Sequence, residues 1–588
     1  MHEKDMQLPK GASRRRFLAG LSAAGAGLVA TSVGGGPPLS PLTGSAEAAP
    51  ALPRARIGGG APSSGTFGRL FPTLPPFADA TDTVRAALLE VGKQGGILDA
   101  RDDLAAGGQN LIVDPTVNGN PTPGNAYGTN PDNPTMTAGS TFVGQFTDHD
   151  ITFDQTSQLG VPQNPLISPN TRTPALDLDS VLGGGPGRRP DLYVSNHDGS
   201  VGPKLKIGSG GTHEDVPRHA NRDGSYTALL GDPRNDENIM IAGLHCAHIL
   251  FYNRVIDDLD HLDLRRLPAA AEVGMPKRYL SYLLAREVLL WHYQWLLVHE
   301  HLPQIVGQAM VDDVLKRGNR LFRPATGAGF MPIEFGAAAY RFGHSMVRTS
   351  YRANFTSGTG DSTSPTKNPF FALVFDAVNE PISGPVTTDR GDLLGGYPAH
   401  RRFVGWQTFF DFGDGQVKNN KKIDTTISSV LFTLPTPAIA PRTQTAPLVL
   451  PQRNLLRQLT WGLPSGQAIA RAMHVDPLTP ADLHDIASVY QPFRTSTPLW
   501  YYILAEAKAA TGGLTLGPVG GRIVAETLIG LLRSDPTSYL RALPGFRPFL
   551  GTDLKLGPTP NPAITGDRSY TRAHFLHYSG VAAAGTYR

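Results

Sequence analysis

Within six residues the chain places an amide, an imidazole and two carboxylates: Gln145-Phe146-Thr147-Asp148-His149-Asp150. On a helix, positions i and i+4 lie one above the other, so Gln145 and His149 would share a face. Asp148 would sit beside them and Asp150 would point elsewhere. That set can move a proton, hold a water by an amide, and offer a separate acid to a cation. A partly buried histidine in a polar helix fits the segment equally well.

Four further clusters carry reactive side chains. In Gly231-Asp232-Pro233-Arg234-Asn235-Asp236-Glu237, Asp232 can cap a helix and Pro233 suits its first position. Arg234 and Glu237 then share a face, as a surface pair or as a guanidinium held over a ligand. Tyr340-Arg341-Phe342-Gly343-His344 follows four small residues, Gly336 to Ala339, which let a flat group approach the backbone. A single histidine there is more often a packing residue than a ligand. Thr173, the Ala175 carbonyl, Asp177 and Asp179 place oxygens at alternate positions, suited to calcium with Asp150 as a further ligand; turn and cap acids are the alternative. Asn454 and Arg457 precede Gly462-Leu463-Pro464 and by themselves indicate nothing.

The elements that must position these groups read as mainly α, with long ordered loops and little β. Helical patterns are expected at Thr81–Lys93, from Asp232 to about Leu259, at Glu334–Tyr351, and around 426–432, 465–474, 480–490 and 498–511. Leu284, Val288, Trp291, Trp295, Val298 and Leu302 step by four and three as a buried stripe, and interrupting charges argue against a membrane span. His299 and His301 beside Pro303 read as a helix end. His245 and His248 share a face and read as core or cofactor-wall packing. Residues 104–140, 155–225 and 353–400 read as loop-rich, consistent with 66 Gly and 51 Pro in 588 residues.

Composition bounds the function. A charged fraction of 18% with net charge +3 gives no electrostatic footprint for nucleic acid. The single cysteine, Cys246, excludes an intramolecular disulfide. At the N-terminus, Ser13-Arg14-Arg15-Arg16-Phe17-Leu18 is a twin-arginine pattern. A weakly apolar run and Ala46-Glu47-Ala48 follow it. The expected organisation is a signal peptide over 1–48, an extended Pro/Gly/Ala-rich linker over 49–80, and a catalytic domain over 81–588 with its core at about 130–550. The destination would be secreted, periplasmic or cell-wall associated, with no stable membrane insertion after signal removal.

Taken in order, these motifs resemble the haem peroxidase superfamily that includes the animal peroxidases. Gln145 with Asp148-His149-Asp150 resembles its distal motif, Thr173 to Gly183 its calcium loop, and Gly231-Asp232-x-Arg234-x-x-Glu237 its distal arginine motif. Arg341-Phe342-Gly343-His344 resembles its proximal motif, and Asn454-x-x-Arg457 the segment that supports the proximal histidine. The resemblance implies a helical haem peroxidase that reduces hydrogen peroxide while oxidising small organic donors or halides, in keeping with a response to oxidative stress. It implies haem b and Ca2+ as cofactors. His149 would be the acid/base, Arg234 would stabilise developing charge, and Gln145 would bind water or halide. His344 would be the axial iron ligand, with Asn454 accepting its other ring N–H. Arg341 and Arg457 would pair with propionates. Asp148 and Glu237 match positions that form ester links to haem. Asp150, Thr173, Ala175, Asp177 and Asp179 would hold calcium.

Departures are visible. Asn238 stands where one animal member has a haem-bonded methionine, so no sulfonium link is expected. Related fatty-acid dioxygenases carry a radical tyrosine three residues before the ligand. Here that position is Arg341, and Tyr340 is four residues before. A fatty-acid dioxygenase using Tyr340, or a haem- and calcium-binding adhesion protein, are the alternative functions.

Overall fold

Among the described residues, nine α-helices of eight residues or more carry the core in a computed structural model of the chain. It describes residues 65–108, 111, 131–211, 213–260, 277–354, 370–381, 384–436, 447–548 and 570–581. The expected signal peptide lies outside the described residues, as do parts of the linker and of loops 104–140 and 353–400. In chain order the helices are α1 (Asp82–Val91), α2 (Gly139–Ile151), α3 (Ile239–Asp260), α4 (Lys277–Leu296), α5 (Gln308–Arg317), α6 (Leu450–Thr460), α7 (Leu499–Thr511), α8 (Pro518–Ser534) and α9 (Arg572–Ser579). The strands form two-stranded sheets of two to six residues per strand that pin loops. The mainly α expectation is met.

One cluster of buried apolar side chains runs from Phe67 to Tyr578. Leu284, Val288, Trp291, Trp295, Val298 and Leu302 all belong to it, as their spacing predicts. Each such side chain, fully buried, contributes about 1.5–3 kcal/mol. Helix α3 packs along α4, with α2 and α9 beside it. It is apolar and long enough to cross a bilayer, yet 78% of its most apolar window is buried inside the fold, which makes it a core helix. Asn253 on α3 donates to the Leu205 carbonyl and accepts from the Leu205 N–H, fastening a hairpin strand to the helix.

Several boundaries differ from expectation for identifiable reasons. From Gly65 the expected linker is packed: Phe67, Phe71 and Phe77 are buried, and Phe67–Gly68 pairs in parallel with Met331–Pro332. The buried Glu334 carboxylate accepts from the backbone N–H groups of Leu70 and Phe71 and holds this stretch down. The helix expected at His299/His301 does not end there. It passes through a π-helical turn, Leu297–His301, and continues to Val306, with Pro303 in the first turn of that continuation. Around 426–432 only Ser429–Phe432 is helical, as a 3-10 turn. Helix α8 carries no motif and emerges only as a buried element packed on α5 and α7.

The helix expected over Glu334–Tyr351 is broken instead. Glu334–Ala338 is a π turn, Ala339–Phe342 a 3-10 turn, Gly343–Met346 an α turn, and Ser350–Arg352 a strand paired with Phe371–Leu373. Competing donors account for the break. Gln458 donates to the Ala337 carbonyl at 3.0 Å and the Trp500 indole to the Arg341 carbonyl at 3.1 Å. Groups that insert into a helical ladder kink it.

Candidate active site

Helix α2 begins where the strand Asp132–Thr137, paired with Asn419–Lys421, delivers the chain. Gln145, Asp148 and His149 face a cavity of about 570 Å3, while Asp150 is fully buried outside its lining. The helical-face expectation therefore holds. The same cavity is lined by Arg234, Glu237, Tyr340, Arg341, His344, Asn454 and Arg457. Residues up to 312 positions apart in the chain share one site.

Arg234 is immobilised by its neighbours. Asp232 caps the turn Pro233–Asp236 by accepting from the Arg234 N–H. The same carboxylate accepts from Arg234 Nε at 3.0 Å and Nη2 at 2.8 Å. Nη2 also donates to the His149 and Thr152 carbonyls at 3.1 and 2.6 Å, and the guanidinium lies 4.0 Å over the Phe153 ring. Burial pushes the Asp232 carboxyl up, but the Arg234 charge and hydrogen bonds outweigh it and bring it to about 2. Behind the turn, Arg218 clamps Asp236 through both guanidinium nitrogens. Gly395 donates to the Glu237 carbonyl, and a Cβ there would collide with the Asp236 carbonyl oxygen, so only glycine fits.

His149 is neutral at pH 7, since burial and then the Arg234 charge lower its pKa to about 4. Its Nδ1 lies 2.9 Å from Asn235 Oδ1, and its Nε2 lies 4.0 Å from Glu237 Oε2. That second contact is therefore not an ion pair. Burial, partly offset by Arg234, raises Glu237 to about 7. Gln145 Oε1 accepts from Asn238 Nδ2 at 3.3 Å. Asp148 accepts from the Thr152 hydroxyl at 3.0 Å.

The His344 group is built differently. Burial and then the charges of Arg341 and Arg457 lower His344 to about 3. Asn454 meets His344 Nδ1 at 2.8 Å, but through its amide nitrogen rather than the expected oxygen. In this rotamer Asn454 donates to Nδ1. Turning the amide by half a rotation puts Oδ1 in the same place, the state that would free Nε2. Arg457, expected to pair with a propionate, pairs with Asp154 at 2.9 Å. Arg341 Nε has no hydrogen-bond partner, and burial followed by Arg457 lowers this guanidinium to about 10. Tyr340 stacks on Phe335 with ring centroids 4.6 Å apart, and its hydroxyl lies 3.5 Å from His301 Nε2.

Residues 164–380 match the animal haem peroxidase family. Over that stretch the chain is similar to the family. Its structure is similar to peroxidase A from Dictyostelium discoideum, at 15% identity and a TM-score of 0.52, covering 81% of this chain and 88% of that one. It is also similar to the fatty acid alpha-dioxygenase of Oryza sativa, at 13% identity and 0.53, covering 89% and 80%. At such identities the likeness speaks to the fold alone. No curated protein sequence matches the chain.

A haem group, which the matched family's description names, fits the lining of the cavity. An unpartnered buried guanidinium nitrogen at Arg341 suits an anionic substituent. A histidine with one ring nitrogen engaged and the other uncommitted suits iron, and Gly343 leaves room at the backbone.

A second group of acids lies on the far face of α2. Ligand oxygens of Asp150, Asp177 and Asp179 lie within 4.8 Å of one another. Burial and then Asp177 raise Asp150, and burial and then Asp177 raise Asp179 to about 7. Leu176 and Leu178 take φ of +49° and +53°, a left-handed backbone costly for leucine, between the acids they set in place. Thr173 is exposed and donates its hydroxyl to Asp179 at 3.3 Å; Ala175 packs beside it through its N–H on the Thr173 carbonyl. The acids also reach the Arg234 turn: Ser180 donates to Asp150, and the Ser180 carbonyl accepts from the Asp232 N–H.

Sequence reading missed Asn235, Asp154 and His301 as site residues. Asn235 meets His149 across 86 positions. No local spacing carries such a contact.

Proposed function

We propose that this protein is an exported haem peroxidase that reduces hydrogen peroxide to water while oxidising small organic donors or halides. The observation that carries the reading is a neutral His149 beside an immobilised Arg234, in a cavity shared with His344. His344 would hold the iron, supported by Asn454, with Arg341 and Arg457 toward the propionates. Haem supplies the electron transfer between donor and peroxide. Peroxide takes up two electrons and two protons and becomes two waters. One-electron organic donors give the electrons one at a time; a halide gives both. His149 accepts the proton from one peroxide oxygen and returns it to the other, so water leaves instead of hydroxide. Arg234 stabilises negative charge as the O–O bond breaks. Gln145 positions water or halide beside them.

Calcium at Asp150, Asp177 and Asp179, with Thr173 and the Ala175 carbonyl, would hold the residue next to His149. Asp148 and Glu237 both line the cavity and are the candidates for ester links to haem. Haem surviving a denaturing gel, and lost in Asp148→Ala and Glu237→Ala, is the expected result for those links. The twin-arginine signal would export the folded protein to the periplasm, wall or medium, and fusion of residues 1–48 to a reporter tests that route.

Protein purified with haem should show a Soret band that shifts when peroxide is added and returns when a small donor is supplied. No haem band after reconstitution would refute the proposal. A second reading, a fatty-acid dioxygenase using Tyr340, draws on that tyrosine facing a cavity with apolar walls at Phe375, Val386, Leu431 and Leu434. Oxygen uptake with a polyunsaturated fatty acid, abolished in Tyr340→Phe, would favour it.

A further inference from the structure

Beside the cavity, three buried side chains form a polar chain that ends on His149. Asn235, His245 and His149 are 0%, 1% and 4% exposed. Asn235 Oδ1 lies 2.9 Å from His149 Nδ1, and Asn235 Nδ2 lies 3.0 Å from His245 Nδ1. An amide oxygen only accepts and an amide nitrogen only donates. His149 therefore carries its proton on Nδ1, and His245 presents an unprotonated Nδ1. His149 Nε2, the nitrogen nearer Glu237, is left with a free lone pair.

We infer that Asn235 is the positioning residue that fixes the tautomer and ring orientation of His149. This rests on the reading of His149 as the proton carrier for peroxide. The reverse arrangement, with the amide turned over, would protonate Nε2 and leave no lone pair to receive the peroxide proton. Two features hold the amide between the two rings. Asn235 sits on a turn fastened at both ends, by the Asp232 cap and by the Arg218 clamp on Asp236. His245 lies on α3, buried with its ring edge-on to Phe146 of α2. Substituting Asn235 by an apolar residue leaves two buried ring nitrogens without partners, so the ring is free to adopt either tautomer. A positioned general acid/base contributes about 10²–10⁴-fold, and a wrong tautomer forfeits part of that.

The test begins with the haem-free chain labelled with 15N in histidine, the His149 signals being assigned by difference against His149→Gln. The expected spectrum has a protonated Nδ1 and an unprotonated Nε2 at neutral pH. The opposite tautomer in the unaltered chain overturns the inference whatever Asn235→Leu does. In the haem-loaded protein, Asn235→Leu should bind haem normally and react with peroxide about 10–100-fold more slowly. Asn235→Asp keeps the acceptor and should retain both the Nδ1 proton and most of the rate. An Asn235→Leu protein that folds, keeps a single Nδ1-protonated form and reacts at the original rate also overturns it. His149→Ala separates the two failures. If its peroxide rate is undiminished, the role of His149 is wrong, while the labelled spectrum still decides what Asn235 does to the ring.

Discussion

The His149 and His344 halves of the cavity are finished to different degrees. Around His149 the charged and polar groups are engaged with one another. Arg234 is held by Asp232 and two carbonyls, Asn235 holds the ring, and Gly395 braces Glu237. Around His344, Arg341 keeps an unpartnered nitrogen, Arg457 leans on Asp154, and Asn454 offers the donor end of its amide. The contrast teaches which half the chain organises by itself. Catalytic groups gain most from being fixed in advance, because reorganisation then costs nothing at the moment of reaction. Groups that bind an anionic cofactor must instead keep bonding capacity in reserve until it arrives.

The largest expected effect separates the halves outright. His344→Ala should abolish haem binding, read as loss of the Soret band. His149→Ala should keep the band and slow the peroxide reaction by about 10²–10⁴-fold. The reverse pattern would exchange the roles assigned to the two halves.

Next comes the arginine of each half. Arg234→Leu leaves the buried Asp232 carboxylate with Arg172, at 3.5 Å, as its paired cation, and should cost up to about 3–5 kcal/mol in the haem-free protein, measured by denaturant unfolding. Arg341→Leu removes a guanidinium that lacks a partner at Nε, so it should leave haem-free stability within about 1 kcal/mol while weakening haem affinity. Equal losses in the two variants would erase the distinction between a prepaid half and a reserved one.

A smaller effect concerns the acids behind α2. Burial raises Asp150, Asp177 and Asp179, with Asp179 at about 7. The folded chain then holds protons that the unfolded chain has released. Without a cation, stability is present below the ordinary carboxyl pKa and declines as pH rises through about 7. Chelator-treated protein should therefore show a falling Tm from about pH 5 to pH 8, and calcium should flatten that slope. A rising Tm in chelator would contradict the assignment. Since Ser180 links Asp150 to Asp232, chelation should also slow peroxide reaction more than it weakens haem binding. Smallest of all, Tyr340→Phe should leave the peroxide rate within about twofold, a free-energy change well below 1 kcal/mol; a large loss would move the proposal toward the second reading.

Sequence by itself determined the parts that local periodicity and short motifs encode. The face shared by Gln145 and His149, the Asp232 cap, the stripe from Leu284 to Leu302 and the alternating oxygens of 173–179 all depend on neighbours a few positions apart. The ordered motifs also pointed to the family that residues 164–380 match. Tertiary structure alone decided the breaks in 334–346, because Gln458 and Trp500 reach those carbonyls from distant helices. It alone decided that Arg457 spends a bond on Asp154, that Asn454 turns its nitrogen to His344, and that Asn235 lies between His149 and His245. Side-chain hydrogen bonds act over about 3 Å in space and carry no fixed separation along the chain. Such contacts are therefore invisible to spacing, and in this protein they hold the reactive groups in place.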